Sequence, residues 1–107
     1  MTYKHIKIGM DFSSEPIWVR VDQKRFFNGY LGDLSDLISE PLFNELELYA
    51  QLWDKIHWWE HKNHQKLQII DFRAWEKSLA ESLSQELPGD YSVYYYDLSL
   101  QKNVMVD

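Results

Sequence analysis

Between residues 40 and 87 the chain carries two apolar stripes at helical spacing, and they leave few architectures open. Leu42, Leu46, Tyr49, Trp53 and Ile56 fall four, three, four and three residues apart, which lines them along one side of a helix. Leu52 and Trp59 widen that stripe. Ser39 is placed to cap the helix, and Pro41 sits in the first turn, where its missing N–H does no harm. The spacing predicts a helix from about Glu40 to about Glu60, with "DLSDL" ahead of it as a short helical turn. Phe72, Trp75, Leu79, Leu83 and Leu87 form a second stripe, capped by Asp71 and stopped by "PGD" at residues 88–90. The polar "HKNHQK" between the stripes fits a loop, and "LQII" leads from it to Asp71.

A one-sided helix must bury that side against another layer. The flanks supply strands. In "YKHIKIGMD", Tyr3, His5 and Lys7 alternate with Lys4, Ile6, Ile8 and Met10, the mostly apolar second set marking a buried face. "DFSSEP" is turn chemistry, and "IWVRV", residues 17–21, is β-branched and aromatic. Residues 22–25 are polar and read as a turn; Phe26 and Phe27 restart the apolar character and "NGYLGD" breaks it. "YSVYYY" and "NVMV" provide two strands at the far end. The order is two strands, two helices, two strands. It predicts an α+β domain with two layers: two main helices packed on one face of a roughly four-stranded antiparallel or mixed sheet. With 107 residues, 45% of them apolar, one domain spanning 1–107 can bury its own core.

Charge and composition exclude several functions. There is no cysteine, so disulfides and thiolate metal sites are impossible, which agrees with a reducing cytoplasm. No apolar run approaches the ~18 residues of a membrane helix. The net charge is −6, from 17 acidic and 11 basic residues. Residues 26–54 hold no Lys or Arg but six acids: Asp33, Asp36, Glu40, Glu45, Glu47 and Asp54. Such a field repels nucleic acid and anionic membrane and attracts a basic partner; it also keeps a small domain soluble. Phosphate-loop and nucleophile-elbow motifs are missing, and no histidine or arginine is tied by spacing to the paired carboxylates, so acid–base catalysis has no support. No cofactor is implied.

The one plausible catalytic segment is "IHWWEHKNHQ". His57, Glu60 and His61 fit an H-x-x-E-H zinc peptidase pattern, and His64 would join them if the helix ran on. That chemistry needs a further ligand from a distant segment, and no His or Cys follows His64. Histidines at a helix C-terminus have a simpler basis in the helix dipole. A metal-dependent enzyme built on these four residues is therefore the alternative reading, not the leading one.

Five Trp and seven Tyr are a heavy aromatic load. Trp18, Trp53, Trp59 and Trp75 suit the core. Trp58 lies ~100° from its neighbour Trp59, off the stripe, and either packs under the following loop or stands exposed. In "YYY" the side chains alternate, so if Tyr94 and Tyr96 face the helices, Tyr95 faces away. Exposed Trp and Tyr make effective contact residues.

The segments "PIWV", "LGDLSDLISEPLFNELELYAQLWDKIHWW" and "IDFRAWEKSLAESLSQELPGDYSVYYYD" together resemble small acidic bacterial immunity proteins, including those of contact-dependent growth inhibition systems, over residues 16–97. The resemblance implies a non-enzymatic partner of a cognate toxin domain, many such toxins being basic nucleases. Toxin-binding residues vary from pair to pair in such families, so none transfers by position. The expected partner-binding set rests on charge and exposed aromatics: Asp33, Asp36, Glu45, Glu47, Asp54 and Trp58, with Tyr95. Glu45 and Glu47 stand ~200° apart on a helix, whereas Glu47 and Asp54 can share a patch. A homodimer or larger homo-oligomer joined through the tyrosine strand is a further possibility.

Overall fold

A computed structural model describes residues 3–67 and 69–106. The chain opens with β1 (His5–Ile8) and β2 (Ile17–Arg20), which pair antiparallel with Ile6 opposite Val19. A two-residue strand, β3 (Phe27–Asn28), adds to β2, and a 3-10 turn over Leu31–Leu34 follows. The long helix α1 (Glu40–Asn63) and α2 (Phe72–Glu86) come next, then β4 (Ser92–Asp97) and β5 (Lys102–Met105).

The sheet has five strands in the order β3-β2-β1-β4-β5. Strand β4 lies parallel to β1, and every other pairing is antiparallel. A parallel pair needs a long crossover; the two helices provide it and pack on one face of the sheet. Ile6 pairs with both Val19 and Val93, so these three point the same way, into the helices. They join Ile8, Ile17, Leu42, Leu46, Tyr49, Leu79, Ala80, Leu83 and Leu87 in one core.

The caps form as their chemistry predicts. The Ser39 side chain accepts from the Leu42 N–H at 3.4 Å, and Asp71 Oδ1 accepts from the Ala74 N–H at 3.0 Å. Four features depart from the sequence reading. The sheet gains β3. The 3-10 turn begins two residues ahead of "DLSDL". Helix α1 runs three residues past Glu60, taking His61, Lys62 and Asn63 out of the predicted loop. Trp59, expected in the core stripe, stays 36% exposed, because the last turns of α1 extend beyond the core. In the "LQII" segment, Gln68 lies outside the described residues.

Candidate functional site

The predicted contact residues do not form one patch. Asp33 lies in the 3-10 turn and Asp36 just after it, both exposed. Glu45 is turned toward α2, where its Oε1 accepts from the Trp75 indole N–H at 3.0 Å. Asp54 is half-buried, and its Oδ1 accepts from the Ser13 backbone N–H at 3.0 Å, tying the β1–β2 turn to α1. Edge-on contact between Phe12 and Trp53, with centroids 5.4 Å apart, reinforces that tie. Two of the five acids therefore have internal duties. Glu47 has none among the hydrogen bonds and ion pairs of the described residues.

Trp58 is 57% exposed, with Lys62 Nζ 5.3 Å from its ring centroid. Leu48 and Trp59 are exposed on the same helix. The outward side of α1 thus combines Glu47 with three large apolar side chains, Leu48, Trp58 and Trp59.

Of the two phases that alternation allows, the tyrosine strand takes the one that turns Tyr95 inward. Val93 pairs with Ile6 and faces the core, so Tyr95 also turns toward the helices, where it is half-buried beneath Lys77. Tyr94 and Tyr96 take the open face. Tyr95 is consequently less available than the alternation argument supposed.

The histidines are dispersed. His57 stacks on Trp53 at 4.0 Å between centroids, and its Nδ1 lies 2.9 Å from the Trp53 carbonyl oxygen. A carbonyl only accepts, so Nδ1 carries the proton. Glu60 Oε1 stands 3.9 Å from His57 Nε2, while its Oε2 accepts from the Leu67 N–H at 2.8 Å. His61 is exposed. His64 ends the helix in the left-handed region, φ 53°, out of the helical register that would align it with His57 and His61. Among the described residues no group of three or more His, Asp or Glu is placed to hold a metal ion.

A feature the sequence reading missed occupies the other side of the sheet. His5, Lys7, Trp18, Arg20, Tyr94 and Tyr96 share the open face through the pairings of β1, β2 and β4, and no strand residue on that face is acidic. Phe26 folds over Tyr94, centroids 5.5 Å apart, and the Arg20 guanidinium lies 4.4 Å from the Phe26 ring and 4.8 Å from that of Tyr94. A cleft of about 1000 Å³ continues from this face around the C-terminal ends of β1 and β4 to the start of α2. Lys7, Arg20, Lys24, Arg25 and Arg73 line it, with Asp11, Asp71 and Glu76. Burial pushes the Lys7 ammonium below its ordinary value, with Arg73 and Arg20 acting in the same direction and Glu76 opposing them. The alternation of β1 already placed His5 and Lys7 away from the core; their meeting with residues 18, 20, 24, 25 and 73 is a matter of tertiary pairing.

The architecture is thus a helix layer with exposed acids and aromatics over a sheet whose free face is basic. Residues 4–98 match the family model described as Serratia CdiI immunity protein-like. The chain belongs to that family. Membership implies binding to a cognate toxin and its neutralisation, and it agrees with the resemblance read from the "PIWV", "LGDLSDL" and "IDFRAW" segments. No curated protein matches the chain. No helix of this CdiI-like protein, among the described residues, is long and apolar enough to cross a membrane.

Proposed function

We propose that this CdiI-like protein acts in the cytoplasm by docking the outward side of α1 against a basic, nuclease-type toxin domain, masking the toxin's active surface without chemistry of its own. The observation that carries the reading is the exposure of Glu47, Leu48, Trp58 and Trp59 on one helix. Large apolar side chains left in water, with the Glu47 carboxylate exposed on the same helix, suit a contact whose aromatics slow dissociation while its charge speeds encounter. Asp33 and Asp36, exposed on the approach to α1, extend the negative field.

Glu47 provides the test, because it makes no side-chain hydrogen bond or ion pair among the described residues. Asp54 does not, since its substitution also frees the β1–β2 turn. Glu47→Lys is expected to slow association with the cognate toxin by about threefold or more at low ionic strength, the difference shrinking as salt is added. Trp58→Ala is expected to act mainly on dissociation. Stopped-flow rates unchanged in both variants would rule out this face.

A further inference from the structure

The basic cleft is the least expected surface on an acidic protein. Among the described residues, the cations in ion pairs are Lys4 with Asp90, His57 with Glu60, and Arg73 with Glu76. Lys7, Arg20, Lys24 and Arg25 form an ion pair with no acid among the described residues. The Arg20 Nε is buried and meets no acceptor among the described residues. The acids that line the cleft have other duties. Asp11 accepts from the Phe12 N–H in its own turn, Asp71 caps α2, and Glu76 is held by Tyr49 and Arg73. Five cations against these three acids leave positive charge that is only partly offset, and such an excess is costly to the folded state through self-repulsion. It is relieved when an anionic group arrives.

The aromatic rings decide which anion fits. Basic clefts with free ring faces suit single-stranded nucleic acid, because bases stack on them. Here the protein's own cations lie against the rings: Arg20 against Phe26 and Tyr94, Lys7 at 5.9 Å from Trp18 and 5.2 Å from Phe26, and Arg73 at 4.8 Å from Tyr96. Side chains held in this way are pre-oriented donors, and the ring faces they contact are unavailable for stacking. Arginine forks so fixed match carboxylates and phosphates alike, so the choice between peptide and nucleic acid rests on the covered ring faces. The cleft also has residues of the open sheet face and of the start of α2 in its lining, which gives room for a length of chain.

We propose that this cleft docks a carboxylate-rich polypeptide segment of the toxin protein, giving the immunity protein a second contact of opposite sign to α1. This rests on the reading that the chain neutralises by binding. Exposed Lys24 and Arg25 allow the test without touching the core. A short oligoglutamate peptide, titrated at low ionic strength, should bind saturably and shift the amide NMR signals of Lys7, Arg20, residues 24–26 and Arg73. The double variant Lys24→Glu/Arg25→Glu should weaken that binding about tenfold or more, whereas Glu47→Lys should leave it intact. Absence of saturable binding would overturn the proposal, as would equal binding by the double variant. Binding of an oligothymidylate of equal charge as tightly as the peptide would overturn it too, in favour of a nucleic-acid surface. None of these outcomes bears on α1. The toxin association rates of Glu47→Lys judge that surface separately, so the two readings fail independently.

Discussion

Glu76 is only 4% exposed, and a carboxyl group so buried must be neutralised, hydrogen-bonded or paired. Its Oε2 accepts from the Tyr49 hydroxyl at 2.6 Å and its Oε1 from Arg73 Nη1 at 3.3 Å. Both contacts favour the ionised form, yet burial outweighs them and holds the group above the ordinary carboxylate range. Burial, with the neighbouring carboxylate, likewise pushes the Tyr49 hydroxyl up, so it remains a donor. The consequence for stability has a definite sign. As pH rises, the unfolded chain releases the Glu76 proton first, while the folded protein still holds it. The contribution is therefore fully present below the unfolded value and is lost as pH climbs through the raised folded value. Glu76→Gln is expected to flatten the decline in urea-measured stability across the weakly acidic range. Tyr49→Phe should cost about 1–3 kcal/mol by leaving a buried oxygen without its donor, and should steepen the decline. A slope indifferent to Glu76→Gln would show that another group sets it.

At the level of elements, the helices were legible because their information is local. Ser39, Pro41 and the stripe from Leu42 to Ile56 fix the start and orientation of α1 within one segment, and Asp71 does the same for α2. Asp71→Ala is accordingly expected to cost about 1 kcal/mol, with Asp71→Asn keeping most of the stability, both read from urea midpoints. If Asp71→Ala left the midpoint in place, the cap would contribute nothing measurable. Strand β3 was not legible. Two residues carry no periodicity, and Phe27–Asn28 is held by tertiary contacts, the Asn28 amide donating to the carbonyls of Glu15 and Ile17. Alternation separated Tyr94 and Tyr96 from Tyr95 but gave no direction; the pairing of Val93 with Ile6 decides which set faces the helices. Trp59 continues the α1 stripe beyond the point where there is a core to receive it. The basic cleft failed for the same reason as β3: its cations are scattered from residue 7 to residue 73 and converge only when β2, β1 and α2 come together.

At the scale of the whole molecule, carboxylates such as Glu47 are exposed on the helix side, and Lys7 and Arg20, with no acid partner among the described residues, lie on the free sheet face. Such a layout invites the idea that copies stack face to back, which would support the homo-oligomer reading. Magnitudes decide against it. The molecule measures 43 × 31 × 22 Å, so touching copies have centres about 30 Å apart. Two bodies of net charge −6 at that distance repel by roughly 5 kcal/mol in unscreened water. Exposed ion pairs return about 0–1 kcal/mol each, and a face-to-back contact would not close into a ring without a suitable rotation. Adding salt removes the repulsion but weakens the pairs as well. The protein is therefore expected to remain a monomer of 12.9 kDa by light scattering coupled to size exclusion, at low and at physiological ionic strength alike. A stable dimer under either condition would contradict this. It would also mean that the exposed apolar residues of α1, Leu48, Trp58 and Trp59, or the tyrosine strand, are covered by a second copy, leaving less of the surface free for a toxin. For a basic toxin the long-range term reverses sign, so the same net charge that keeps copies apart draws the partner in.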